Sequence, residues 1–470
     1  MRIKIIVFFF FCFLLTLACN SAEVIVHGSA REYAGKEIVL YGISDRITNT
    51  ELELCRSIVA PDGTFSESFA LTETKAVLIH LGIYKIGFYA EPGGNYDIGL
   101  PPVQEKTEAD YLNPFFKETE VHAFIRDTKH DDLNMLIRMF DDSYGPYYEK
   151  FAQNIKSKEN PALLDSTIIN LMKPFTEVRN EYFLQYTRYR LGMLRHMAYQ
   201  FKSKAMSDQY FTNQPILNQN PAYMDLFNLV YDKFFMYLIR TPEGKSIDSS
   251  INVYRSLNKL KKSIEQNKTI KNDSLIELVI LKNLFDEFYS NRFSRTAILN
   301  IIDTIIGKGK IEENRIIAQN IRLNITRLLP GYVPPQFPLL NSDSVTVNLS
   351  DLKGKYTYLC FCSCFSYSCL KEFDMLQRMY AKHSKYLQIV LISVDPSLSE
   401  LKRFVTKTDY KWIFLNYGKH PEILKAYDIR GYPTYFLIDK EGKLLLSPAP
   451  SPFENIELKL FDIMRARGDI

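Results

Sequence analysis

The sequence has a single tryptophan among 470 residues and no C-x-x-C pair among its seven cysteines. A Gly-rich phosphate loop, an H-E-x-x-H helix and a G-x-S-x-G turn are also missing, so phosphate cradling, zinc-protease and serine-hydrolase chemistry have no motif to rest on. Charge of one sign is scarce: 58 Lys and Arg stand against 54 Asp and Glu, an excess of 4. With no Arg-rich stripe or zinc-finger spacing, that balance excludes nucleic acid as the expected partner. Aromatics are what the chain has in plenty, 30 Tyr and 32 Phe, suited to lining cores and grooves. The length exceeds what one core organises, and a 46% hydrophobic, 24% charged composition fits two or three globular domains.

Arg2 and Lys4 precede an apolar run from Ile5 to Leu17 that ends in LTLAC, Leu15 to Cys19. A positive start, a short apolar stretch and a small residue before the break read as a secretory signal. A cysteine directly after Ala18 gives it the look of a bacterial lipoprotein signal over residues 1–18, with Cys19 as the site of lipid attachment. Thr16 stands where Leu is usual, and an ordinary signal cut near Ala22 or an uncleaved anchor are the alternatives. Asn20, Ser21, Ala22 and Glu23 carry no acidic cluster. The expected location is therefore the cell envelope, lipid-anchored to the membrane and facing the periplasm, where disulfides persist. Cys12 leaves with the signal. Cys55, Cys360, Cys362, Cys364 and Cys369 remain, an odd number, so at least one thiol stays free or pairs outside the chain.

Residues 19–105 after the signal read as short β-rich segments broken by turns such as Pro61-Asp62-Gly63 and Glu91-Pro92-Gly93-Gly94-Asn95, which predicts an antiparallel β-sandwich. Cys55 falls on one such strand as a packed or surface thiol, and His27 and His80 read as structural. Residues 106–329 turn helical. PAYMDLFNLVYDKFFMYLI places Leu226, Leu229, Val230, Phe234 and Tyr237 at helix spacing after Asn220-Pro221, and EYFLQYTRYRLGMLRHMAYQF repeats the pattern. Six to eight helices are expected here. LLPGYVPPQFPLL is a proline-stiffened connector, and residues 330–470 alternate strand and helix before a hairpin and a last helix, an α/β layered arrangement. The fold class is thus multidomain α+β.

Four of the seven cysteines crowd into ten positions of CFCSCFSYSCLKE, residues 360 to 372. Together with GYVPPQFPLLNSDSVTVNLSDLKGKYTYL before it and IRGYPTYFLIDKEGK at 429 to 443, this segment resembles the TlpA/ResA-like thioredoxin family of envelope-anchored proteins. FCSCFSYSCLKE aligns on that family's F-W-A-S-W-C-G-P-C-x-K-E, and IRGYPTYFLIDKEGK on its G-x-P-T-x-F-L-I-D-x-x-G-K. The resemblance implies a C-terminal thioredoxin-like domain with Pro433 cis and facing the active site. It further implies protein thiols or disulfides as partners and thiol-disulfide exchange without a cofactor. The two leading domains resemble, more loosely, the layout of Gram-negative lipoproteins that end in such a domain.

In that register Ser366 takes the place of the attacking cysteine, and a hydroxyl cannot form the mixed disulfide through which exchange passes. As a helix N-cap, Ser leaves the fold intact. Cys369 matches the second, recessed cysteine; Tyr367 and Ser368 replace Gly-Pro. Cys360 takes a strand position where relatives carry a buried acid, Cys362 replaces Trp, and Asp374 replaces a helix-kinking Pro. The implied client groove lies around Phe365, Tyr367, Tyr432 and Thr434 beside Pro433. Three readings remain open. Cys369 pairs with a rearranged partner among Cys360, Cys362 and Cys364; or the domain binds clients without exchange; or four cysteines hold a metal. Metal ranks last, because strand alternation sends Cys360 and Cys362 into the core.

Overall fold

Alternation governs the first hundred residues: along Ala22–Ser29 (β1), Val24 and Val26 are buried while Glu23 and Ile25 face out. The computed structural model describes residues 21–470 apart from 114, 154–160, 199–202, 267–269, 271, 396 and 419. The expected signal and the expected lipid attachment at Cys19 lie outside the described residues. Six further strands follow, Glu37–Asp45 (β2), Thr50–Ile58 (β3), Thr64–Leu71 (β4), Lys75–Leu81 (β5), Tyr84–Ala90 (β6) and Asn95–Gly99 (β7). After a short helix, Glu108–Leu112 (α1), come Thr119–His122 (β8) and Phe124–Ile125 (β9). The sheets run β4-β1-β7-β9 and β3-β2-β5-β6-β8, and Val24, Phe65 and Ile98 of one meet Leu40, Val77 and Phe88 of the other in a shared core. The strands thus continue beyond the expected boundary at 105. The Pro101-Pro102 stretch interrupts the pattern there, yet β6 and β7 still have open edges, which β8 and β9 fill.

The helical region comprises Leu133–Gln153 (α2), Pro161–Met172 (α3), Glu181–Ala198 (α4), Ser203–Tyr210 (α5), Pro221–Val230 (α6), Phe234–Leu238 (α7), Ser246–Asn252 (α8), Leu257–Glu265 (α9), Asp273–Asp286 (α10), Arg295–Lys308 (α11) and Glu312–Thr326 (α12). The expected six to eight helices are too few because long apolar stretches are cut by left-handed residues. PAYMDLFNLVYDKFFMYLI breaks at Lys233, φ 49°, which resets the helical phase. Asn220 caps α6, its side-chain oxygen accepting from Tyr223 N at 3.2 Å. The buried face of α6 runs through Tyr223, Phe227 and Val230, so Leu229 and, past the break, Tyr237 are exposed rather than core.

The last domain holds Pro338–Asn341 (β10), Thr346–Asn348 (β11), Tyr356–Cys362 (β12), Tyr367–His383 (α13), Leu387–Ser393 (β13), Leu398–Lys407 (α14), Ile413–Asn416 (β14), Pro421–Ala426 (α15), Thr434–Ile438 (β15), Leu444–Ala449 (β16) and Ile456–Ala466 (α16). One seven-stranded sheet has the order β11-β10-β14-β13-β12-β15-β16. Strand β12 is central, parallel to β13 and antiparallel to β15, and all seven of its residues are buried. Tyr358, Cys360 and Cys362 face one core and Leu359 and Phe361 the other. The proline connector is pinned to this domain, with Gly331 N donating to Leu444 O at 2.7 Å and Tyr427 Oη to Pro335 O at 2.7 Å. Among the described residues no helix is long and apolar enough to cross a membrane.

One charged cluster in the sheet pair makes a stability prediction. His80 Nδ1 lies 2.6 Å from Glu118 Oε2, and Nε2 lies 3.4 Å from Glu51 Oε1. Burial disfavours the imidazolium, but the two carboxylates outweigh it and raise its pKa to about 9. A raised folded-state pKa contributes stability that is full below the unfolded value near 6.5 and is lost as pH rises through about 9. His80→Gln should therefore lower unfolding stability by about 1–3 kcal/mol at pH 6. By urea titration the gap from wild type should shrink towards pH 9.5 (an approximate endpoint above the folded pKa); a pH-independent gap would contradict this account.

Candidate active site

Between β12 and α13 the chain turns through Ser363 to Ser366, and one buried carboxylate shapes that turn. Asp395, just past β13, accepts from Ser363 Oγ at 2.6 Å and from Cys364 N at 2.7 Å. Ser393 Oγ donates to it at 2.8 Å, and its own carbonyl accepts from Asn416 Nδ2 at 3.0 Å. Each of these donors would otherwise be stranded at a buried strand end.

Ser366 stands at the N-cap of α13, but its side chain makes no cap hydrogen bond, contrary to the expected capping role. Its hydroxyl instead pairs with Ser368 Oγ at 2.8 Å, and both hydroxyls serve Cys369. Cys369 lies in the first turn of α13, where free backbone N–H groups favour a thiolate. A hydrogen bond from Cys362 is the largest influence on it; burial opposes. With the Ser363 backbone and the Ser366 and Ser368 hydroxyls, that contact holds the Cys369 thiol below the ordinary range. Cys362 moves the other way. Burial, followed by its contacts with Cys360 and Cys369, pushes its pKa far up, and its thiol donates to Ser363 O at 3.6 Å. Cys364 is pushed up to about 12 by burial, against a hydrogen bond with Ser393. All four clustered thiols are buried, and they and Cys55 are free.

The other site residues take varied positions. The Tyr432–Pro433 bond is cis. Tyr432 is half-buried beside Cys369, and burial, followed by the negative charge of Cys369, raises its hydroxyl to about 12. Phe365 and Tyr367 are exposed, at 56% and 82%, with the Phe365 ring 6.3 Å from Phe404. Thr434 turns its hydroxyl back to Gly431 O at 2.7 Å while its backbone pairs with Phe361 in the sheet. Cys55 sits on β3, apart from this cluster, raised to about 11 by burial. Among the described residues no group of three or more His, Cys, Asp or Glu is placed to hold a metal ion.

Sequence reasoning missed Asp395, Glu372 and Tyr435. Glu372, one turn beyond Cys369, is buried and accepts a hydrogen bond from Tyr435 Oη, and burial raises its pKa. Tyr435 is paired in register with Cys360 and stacks on Tyr358 at 4.9 Å. The available signal was an acid closing a buried strand, ISVD, and a second acid three residues after Cys369 on the same helix face.

Comparison with known proteins places this geometry. Residues 330–446 match the AhpC/TSA family. The thiol-disulfide oxidoreductase ResA of Bacillus subtilis (strain 168) is 31% identical over 156 residues, which is 33% of this chain and 82% of that protein. The chain belongs to this ResA-like thiol-disulfide oxidoreductase family. ResA of Bacillus thuringiensis subsp. konkukian is 32% identical over 116 residues, 24% of this chain. That match spans 66% of the relative's length, just under two thirds. A thiol:disulfide interchange protein from Bacteroides sp., solved in solution, is 26% identical, with a TM-score of 0.26 over 29% of this chain and 92% of its own. The family membership rests on the C-terminal domain, whose thioredoxin-like fold carries the cluster.

Asp395→Ala strands the Ser363 and Ser393 hydroxyls and the Cys364 amide together. It should cost the domain about 2–4 kcal/mol and speed native-state alkylation of Cys364, as read by mass spectrometry; an unchanged melting midpoint with unchanged alkylation would remove Asp395 from this role.

Proposed function

We propose that this ResA-like domain performs thiol-disulfide exchange with a rearranged dithiol, Cys362 and Cys369, in place of a C-x-x-C pair. The observation that carries it is the placement of these two residues in one buried cluster, with Cys362 pushed up in pKa and Cys369 held down. In the reducing direction the Cys369 thiolate attacks one sulfur of a client disulfide, and the departing client sulfur takes up a proton from solvent. Cys362 then loses its proton and attacks Cys369 in the mixed disulfide. A Cys362–Cys369 disulfide forms, and the second client sulfur leaves as a thiol. Two protein thiols are oxidised and one client disulfide is reduced to two thiols, so the electrons balance. Ser366 contributes a hydrogen bond to the Cys369 thiolate and forms no bond to the client.

The signal-like N-terminus supports placing this chemistry in the cell envelope, on a lipid anchor at Cys19 facing the periplasm, in thiol-disulfide homeostasis with protein clients. A second reading, a redox-inactive module that holds clients in the groove beside Pro433, draws support from the burial of Cys369 and the exposure of Phe365 and Tyr367.

Thiol counting on the mature protein separates the two. After mild oxidation the exchange reading expects a species two hydrogens lighter, with the bridge mapped to Cys362 and Cys369. Insulin reduction should be lost in Cys369→Ala and Cys362→Ala and kept in Cys55→Ala. A protein that alkylates at every thiol after oxidation, with no turnover, is a binding module.

A further inference from the structure

A cavity of about 420 Å³ opens between the sheet pair and the helical region, and none of the clustered cysteines lines it. That volume falls within the usual range for small-molecule sites. Its helical wall is organised by hydrogen bonds. Tyr186 Oη donates towards Asp141, 2.8 and 3.0 Å from the two carboxylate oxygens, and Arg190 Nε donates to Tyr186 Oη at 3.0 Å. Arg190 Nη1 then reaches Asp225 Oδ2 at 3.3 Å. Asp225 lines the cavity, and its Oδ1 accepts no hydrogen bond among the described residues.

Arg46 lines the same cavity from the sheet side. Its stem is fixed: Asn228 Nδ2 donates to Arg46 O at 3.0 Å. The preceding Asp45 accepts from Ile47 N at 2.9 Å, Thr48 N at 2.8 Å and Asn320 Nδ2 at 2.8 Å. Its guanidinium, by contrast, makes no hydrogen bond or ion pair among the described residues. A cation with a rigid base and an unused five-donor head is pre-organised for a ligand rather than for the fold. Charge narrows the ligand. Three cations, Arg46, Lys85 and Arg190, line the cavity with four carboxylates, Glu51, Glu120, Asp141 and Asp225, so the lining has both signs and no preference for a bare anion. Ile43, Val77 and Phe88 supply apolar lining.

We propose that this cavity binds a short peptide with free termini, its carboxylate on Arg46, its ammonium on Asp225 and an apolar side chain against Ile43, Val77 and Phe88. The site is separate from the thiol cluster and stands whether or not the domain exchanges disulfides.

Calorimetric titration of the full mature chain with Leu-Leu tests it. The free dipeptide should bind, and its C-terminal amide and N-acetyl forms should each bind at least tenfold more weakly (a loss of about 1.4 kcal/mol or more per tenfold). Arg46→Gln should abolish the preference for a free carboxylate, and Asp225→Asn the preference for a free ammonium. Arg46→Gln removes no side-chain hydrogen bond or ion pair among the described residues, so its circular dichroism should match wild type and its melting midpoint should stay close to it. The amide and acetyl peptides need no variant, so the proposal stays open to test even if a substitution unfolds the chain. Absence of binding to the free dipeptide, or equal affinity for free and blocked forms, overturns it.

Discussion

Everything at the thiol cluster depends on where the chain goes after β12, and Asp395 decides that. A strand buried on both faces cannot end in a loose loop without stranding polar groups. The carboxylate gathers a backbone amide and two hydroxyls from two pieces of the site, the turn after Cys362 and the end of β13. With the turn fixed, α13 must start at Tyr367, and Cys369 in its first turn must face back onto the strand end. The burial of Cys362 and Cys369 in one cluster is therefore a consequence of backbone placement rather than of sulfur chemistry.

The α/β domain was the most legible part of the sequence. β12, α13, β13, α14, the β15–β16 hairpin and α16 each announce themselves by apolar period and by turn residues, with Gly442 at φ 87° in the hairpin. The same face for Cys360 and Cys362 follows from strand alternation alone. β14 and α15 were not anticipated; at four and six residues they are too short to show a period. The helical region was legible in kind but not in count, because breaks at Lys233 and Arg255 are backbone choices that side-chain pattern does not record. Which cysteine meets Cys369 was not legible either. Spacing left Cys360, Cys362 and Cys364 all open, and only the fixed turn selects between them. Asp395 escaped notice because a lone acid after a strand reads as a solvated loop residue until three donors converge on it.

Polar side chains join the sheet pair to the helical region alongside apolar packing, in which Ile47 is buried in the helical core and Tyr89 packs against Tyr182 and Tyr186. Asn134 both accepts from Tyr89 N at 2.7 Å and donates to Tyr89 O at 2.9 Å, inserting itself like one more strand residue. Asn320 donates to Asp45 and to Ser44 Oγ at 2.9 Å, and Asn228 to the Arg46 carbonyl. Amide side chains satisfy buried backbone groups at fixed distances, so they set position more tightly than apolar packing of equal area. That rigidity lets a cavity persist between the two regions and keeps Arg46 aimed into it.

Ser366 stands at the start of α13, and the two sulfurs with opposite pKa shifts, Cys362 on the strand and Cys369 on the helix, are both buried. In an open C-x-x-C site the attacking sulfur meets the client first, and the recessed one resolves. Here Cys369, the inner position, is held below the ordinary thiol range and Cys362 above it, and both are buried. Cys369 is buried, with Tyr432 beside it. The turn before its helix is held by Asp395, while the pKa split lies between Cys362 and Cys369. These two controls reside in different residues, so reactivity and selectivity can be altered separately. An open site, whose helix-end thiolate is already at the surface, lacks that separation.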